Sequence, residues 1–227
     1  MLSPGELQIV LLSLQVAAVA LIATLPLAVF LAFILARRHN LATQILNVAV
    51  HLPLVMPPVV TGYVLLILFG RGGTLGQIFA KIGLIFSFNW TGAALAAGVM
   101  ALPLMVRPMR VAFEAVDRRL EGAASTLGAS RLQVWTSVTL PLAAPGVFAG
   151  AITGFAKCLG EFGATITFVS SIPGVTETMP LAIHGLLQIP GQDAAAWRLC
   201  AIAIVIAILA LAVSEWVTRR IHARARH

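Results

Sequence analysis

Gln8–Ala36 reads QIVLLSLQVAAVALIATLPLAVFLAFILA, with no charged residue from end to end. A helix crossing the hydrocarbon core of a bilayer needs roughly 20 apolar residues, and this run exceeds that. It stops at Arg37-Arg38-His39. A cleaved signal has an apolar stretch of about 7–15 residues behind a basic segment; this run is longer, and no basic segment precedes it. It is expected to stay in the mature protein as the first membrane span, with Pro26 as a kink. The rest of the chain agrees: 59% of it is hydrophobic and 10% charged, where a soluble domain carries about 25% charged residues. The chain therefore reads as an all-α integral membrane protein, with one transmembrane domain over residues 1–227.

Further apolar runs predict spans at 45–69, 90–106, 138–159 and 198–218, about five transmembrane helices in all. Pro53, Pro57 and Pro58 interrupt the second. Prolines remove backbone donors and bend a helix, and such breaks survive in a bilayer only where protein or a water-filled cavity satisfies the freed groups. Pro57 and Pro58 thus read either as a packing kink or as pathway lining. Residues 70–89 carry five glycines and form a loop, with a short amphipathic helix expected around Leu75 to Ile82. Residues 161–197 are mixed, with a short apolar piece around Leu181 to Ile189 that is too short to cross alone.

The formal net charge of +7 excludes neither membrane nor nucleic acid by itself; its distribution decides. The basic residues sit in short segments flanking apolar runs, not on one soluble face, so no nucleic-acid partner is expected. With five spans, eleven Lys and Arg (37, 38, 107, 110, 118, 119, 131, 219, 220, 224, 226) fall on one side and three (71, 81, 198) on the other. The positive-inside rule puts the first set in the cytoplasm, with the N-terminus outside and the C-terminus inside. Trp90 and Trp216 lie near span ends as interfacial anchors, with Glu215 beside the latter. Cys158 and Cys200 lie in or beside apolar runs without a CxxC or Cys/His cluster, so neither a metal site nor a disulfide framework is expected. The five histidines form no metal spacing; His51, beside the proline break, is the one placed to touch a pathway.

Between two very apolar stretches lies a polar island, Asp117–Arg131, DRRLEGAASTLGASR, within the polar segment 107–135. Helix-forming residues around Leu120 to Ala124 are followed by a break at Gly128 and a second short helical stretch holding Trp135. Two short helices joined by a glycine turn can lie under a membrane and fit a groove on a soluble partner; the alternative is an ordinary charged loop. The island resembles the coupling loop of ABC importer permeases, whose EAA motif runs Glu-Ala-Ala, three residues, Gly, nine residues, Ile-x-Leu-Pro. Ala123, Ala124, Gly128, Val138, Leu140 and Pro141 match that spacing, with Val in place of Ile. The acidic slot holds Gly122, and Glu121 sits one residue earlier.

The resemblance implies a type I ABC importer permease-like helical bundle in the inner (plasma) membrane. It implies a cytoplasmic coupling loop at about 107–135 that enters a cleft of a separate ABC ATPase dimer, a second copy of the permease, and an extracytoplasmic substrate-binding protein. This chain has no GxxxxGK[ST] loop, and neither Lys81 nor Lys157 is followed by Ser or Thr, so it is not expected to cradle ATP phosphates; ATP and Mg would belong to the partner ATPase. No catalytic residue is expected here.

A second constellation is Lys157-Cys158-Leu159-Gly160-Glu161-Phe162-Gly163-Ala164-Thr165-Ile166-Thr167-Phe168. Lys157 and Glu161, at i and i+4, are expected to share a helix face. Ionisable groups at membrane depth usually face a cavity or a partner, so they read either as a gate or as a structural ion pair. Thr165 and Thr167 offer hydroxyls that could pass an oxyanion through weak contacts, with Phe162 beside them. Gly160–Thr165 resembles the oxyanion branch of the permeases. His51–Tyr63, HLPLVMPPVVTGY, and Phe168–Gly174 resemble its molybdate members, and the likeness runs from about residue 8 to 218. Sulfate, tungstate and phosphate remain alternatives. A gradient-driven secondary transporter often shows two related halves; no repeat relates 1–110 to 111–227.

Overall fold

A computed structural model describes residues 3–224 of the chain. The side chains of Leu211 and of residues 214–224 lie outside that description, and with them Trp216, Glu215, Arg219, Arg220, His222 and Arg224; Arg226 and His227 lie beyond it. Among the described residues every regular element is helical.

Helix α1 spans Pro4–Arg37. Ser3 and Glu6 form a capping box at its start: Ser3 N–H donates to Glu6 Oε2 at 2.7 Å, and Glu6 N–H donates to Ser3 Oγ at 3.2 Å. Pro4 follows at the first position, where its missing N–H costs nothing. Asn40 and Thr43 cap α2, Leu41–Val55, in the same reciprocal way. The predicted span 45–69 is made of two helices. The chain breaks at Met56-Pro57 and resumes as α3, Pro58–Phe69, bent by 114° from α2. Two consecutive prolines hold Met56 and Pro57 extended, since a residue before proline is driven out of the α region. The interruption expected at Pro57 and Pro58 is a full break between helices, whereas Pro53 lies inside α2.

A loop helix α4, Thr74–Ala80, follows. Phe69, Phe79 and Phe86 pack on one another at centroid separations of 5.3–5.9 Å, which folds the loop back on the end of α3. Helix α5, Trp90–Ala115, is the centre of the bundle: 67% of its apolar stretch is buried, against 28% for α1. Its first turns are built of Gly92, Ala93, Ala94, Ala96, Ala97 and Gly98, and small residues let helices approach closely. The predicted end at 106 is nine residues short. Pro103 and Pro108 do not stop the helix, because Met105, Val106, Met109 and Phe113 continue the buried stripe and Arg110 pairs with Glu114 at 2.7 Å one turn on.

The island helix α6 is Arg118–Thr126, capped by Asp117, which accepts from Arg119 N–H at 2.9 Å. Gly128 then turns the chain at φ +89°. Ser130 caps α7, Arg131–Val134, which runs through a π-helical segment, Trp135–Thr139, into α8, Leu140–Leu159. The stretch 131–159 is one continuous rod. Trp135 therefore belongs to the first turns of a long helix, not to a separate short one, and the predicted start at 138 is late. The chain ends with α9, Gly163–Val169, α10, Met179–Leu186, and α11, Asp193–Arg224, which begins five residues before the predicted 198.

Contacts fix the helix directions. The starts of α1 and α5 share a cleft lined by Pro4, Leu7, Leu11 and Trp90, while Phe33 and Phe113, near their other ends, meet at 5.6 Å. The two helices run parallel, so residues 38–89 carry the chain back from one end to the other. Gly146 lies against Ala112 and Gly150 against Met105 and Met109, so α8 is antiparallel to α5. Arg198 of α11 pairs with Glu6 at 2.8 Å, and the Met179 N–H donates to Ser13 Oγ at 2.7 Å, which ties the starts of α11 and α10 to the start of α1.

Candidate functional site

The island presents an exposed surface at the end of the bundle where α1 and α5 finish. No residue of α6 is buried. Leu120, Leu127 and Leu132 are 50%, 89% and 71% exposed within this charged loop. Gly122 and Ala123 are exposed and Ala124 half-buried. A Cβ on Gly122 or Gly128 would meet nothing within 4 Å. Space is not what Gly128 supplies; its positive φ, which side-chain-bearing residues seldom adopt, is.

Glu121 is the island's fixed point. Its Oε1 accepts from the Arg37 guanidinium, at the end of α1, and from Thr139 Oγ1 at 2.5 Å. Thr139 is buried and lies between Val138 and Leu140 of the matched pattern. The acid that engages the bundle is therefore Glu121, and Gly122 only occupies the aligned slot. Val138 and Leu140 are half-buried, and Pro141 opens α8 on the exposed side. Sequence reasoning missed Arg37, Thr139 and the three exposed leucines. The leucines were visible as apolar residues in a charged loop; the Arg37 pairing joins residues 84 apart and left no local signal.

The second constellation is differently built from its prediction. Helix α8 ends at Leu159 with Gly160 as its cap, so Lys157 and Glu161 do not share a helix face. They pair nonetheless, Lys157 Nζ to Glu161 Oε2 at 2.5 Å, while Glu161 Oε1 accepts the Ala164 N–H at 3.0 Å. Glu161 is 3% exposed. Both carboxylate oxygens are engaged, one by the lysine and one by the first turn of α9. Thr165 is buried, and Thr167 Oγ1 donates to Gly163 O at 3.0 Å. The Phe162 ring lies 4.9 Å from that of His184.

The structure brings the two stretches singled out as pathway together. Helix α3 packs on α9: a Cβ on Gly62 would lie 2.5 Å from Ala164 O, and one on Gly163 2.6 Å from the Pro58 ring. Pro57 and Pro58 are exposed at the break. His51 is tied to its own helix, Nδ1 to Asn47 O at 2.8 Å. A cleft of about 420 Å³ lies elsewhere, between the start of α1, Trp90 and Gly174-Val175. Cys158 is buried and Cys200 half-buried, both as free thiols, and no group of three metal-ligating residues occurs among the described residues.

Long apolar helices packed through small residues, with a capped polar loop exposed at one end, define a multi-span membrane protein. The chain belongs to the family of binding-protein-dependent transport system inner membrane components, whose model matches residues 24–227. It is 50% identical over 219 residues to the molybdenum transport system permease protein ModB of Escherichia coli K12, covering 96% of each chain. It is 48% identical over 216 residues to ModB of Haemophilus influenzae, covering 95% of this chain and 94% of that one. Its fold matches that of a bacterial ABC transporter involved in alginate import, at a TM-score of 0.75 and 17% identity over 96% of this chain and 80% of that one. The fold is thus that of the ABC importer permeases.

Proposed function

We propose that this chain is the membrane-spanning permease of an ATP-driven importer for molybdate, working as two copies. The observation that carries the substrate is 50% identity to a molybdenum permease over nearly the whole of both chains. The site supports the class. The exposed α6 and its Gly128 turn form the docking element for a separate ATPase dimer, which holds ATP and Mg. A binding protein delivers the anion at the end where Glu6 and Arg198 meet. This chain performs no covalent chemistry; ATPase closure moves packed helices as rigid bodies. Val138, Leu140, Pro141, Ala123 and Ala124 form the coupling surface. The contact of α3 with α9, with Phe162, Thr165 and Thr167, borders the pathway, and Lys157–Glu161 holds that border in shape.

A sulfate reading has one observation in its favour. The sulfate transport system permease protein CysT of Salmonella typhimurium is 35% identical over 158 residues, 70% of this chain and 57% of that one. Both anions are tetrahedral dianions, so the discriminating experiment is competition. Proteoliposomes holding this chain, its ATPase and its binding protein should take up molybdate only with ATP, and excess sulfate should leave that uptake in place. Uptake displaced by sulfate would move the substrate; uptake without ATP would sink the class.

A further inference from the structure

We propose that Arg37 is the positioning residue through which motion of α6 is delivered to α1. This rests on the reading of α6 as the ATPase-docking helix, and adds to it the point where the docking helix grips the transmembrane bundle. Both polar contacts that α6 makes with α1 among the described residues end on Arg37. Glu121 accepts from its guanidinium, and Arg118 Nη2 donates to its carbonyl oxygen at 3.5 Å. The carboxylate oxygen that takes Arg37 also takes Thr139, so one atom joins the end of α1, the middle of α6 and the π-helical segment that leads into α8.

The geometry differs from that of an ordinary surface ion pair, where long exposed side chains gain little by pairing. The side chains of Arg37 and Glu121 are only 14% and 22% exposed, and Thr139 is 2% exposed. The guanidinium also lies 5.7 Å from the centroid of the Phe33 ring, and Phe33 packs edge-on against Phe113 of α5. Arg37 is thus clamped between an aromatic pair belonging to the bundle and a carboxylate belonging to the island. Since α6 buries no residue of its own, packing cannot hold it to α1; a charge-assisted hydrogen bond, about twice as strong as a neutral one, can. The π segment ending at Thr139 adds a place where the rod 131–159 changes its turn, and such segments recur where helices work.

The test uses the full complex of permease, ATPase and binding protein in proteoliposomes, and reads ATP hydrolysed per molybdate imported. Arg37→Glu and Glu121→Arg are each expected to raise that ratio at least about fivefold, the lower end of typical coupling effects. The double variant R37E/E121R restores the pair with reversed sign and is expected to return the ratio to within about twofold of wild type. A ratio unchanged in the single variants, or uptake and hydrolysis falling together with the amount of inserted protein, overturns the role. So does a double variant no better than the singles. Should charge reversal keep the chain out of the membrane, Thr139→Val carries the test: losing one hydroxyl should raise the ratio about twofold, and no change overturns the proposal. Wild-type complex without ATP-driven uptake would overturn the permease reading and this role with it, whereas normal wild-type uptake beside unaffected variants overturns this role alone.

Discussion

Glu161 is the residue whose surroundings most restrict what it can do. It is buried, with Lys157 on one oxygen and the Ala164 N–H on the other. Removing Glu161 leaves the buried Ala164 N–H without its acceptor and the half-buried Lys157 without its counter-charge. Glu161→Ala should therefore destabilise the protein by roughly 1–3 kcal/mol, the cost of stranding a buried polar partner, read as a lower midpoint of thermal unfolding in detergent. Lys157→Met with Glu161→Gln should recover most of that loss. If the recovered double variant also transports, the pair is structural; if it is stable and does not transport, the charge itself serves the pathway. The pairing was legible in the sequence because four residues separate the two groups. The fourth span was read as stopping at 159, yet the two groups were still read on one helix face; the cap at Gly160 separates them. The acid of the island was half legible in the same way. Spacing pointed to Gly122, and only the fold shows that Glu121 turns inward onto Arg37 and Thr139.

At the scale of elements, the contact between α3 and α9 is set by glycine. Gly62 lets α3 approach until its missing Cβ would fall 2.5 Å from Ala164 O and 2.9 Å from Thr167 Cβ. Backbone cannot yield as the tip of a flexible side chain can, so Gly62→Val must push the helices apart. Overpacking of this kind costs typically about 1–3 kcal/mol, and because α3 carries the Pro57–Pro58 break the shift falls on the proposed pathway. The expected outcome is a lower unfolding midpoint together with reduced molybdate uptake, while Gly122→Val, whose Cβ would meet nothing, leaves the midpoint within error. Equal midpoints in wild type and Gly62→Val would refute the close approach. The long helices were legible from long apolar runs, and the short ones at 74–80 and 179–186 from a glycine-rich loop and from an apolar piece too short to cross. What sequence could not supply was the ends. The buried stripe through Met109 and Phe113 carries α5 past its apolar run, and Ser130 starts the next rod early by capping it. A bend of 114° is likewise beyond a rule that says only that prolines disturb a helix.

For the whole molecule, the parallel course of α1 and α5 decides which residues share a membrane face. One end gathers Arg37, Arg110, Arg118 and Glu121 through direct contacts; the other gathers Glu6, Arg198, Ser13 and the Met179 amide. The broken pair α2–α3 must then belong to a return path between the two ends, for otherwise α1 and α5 could not both finish at the island. Lys and Arg near span ends are retained on the cytoplasmic side, and the first end holds three arginines in these contacts against one at the second. The island is thereby expected inside and the chain start outside. In a Cys200→Ser background, with Cys158 protected by burial, Ser3→Cys should react with a membrane-impermeant maleimide added to spheroplasts, which expose the outer face of the inner membrane. Gly122→Cys should react only after the membrane is opened. Labelling of Gly122→Cys in intact spheroplasts would reverse the molecule and move the island away from any cytoplasmic ATPase. Both sites are on the surface; Ser3→Cys gives up one cap hydrogen bond of α1 and Gly122→Cys meets nothing, so the labelling pattern reads orientation.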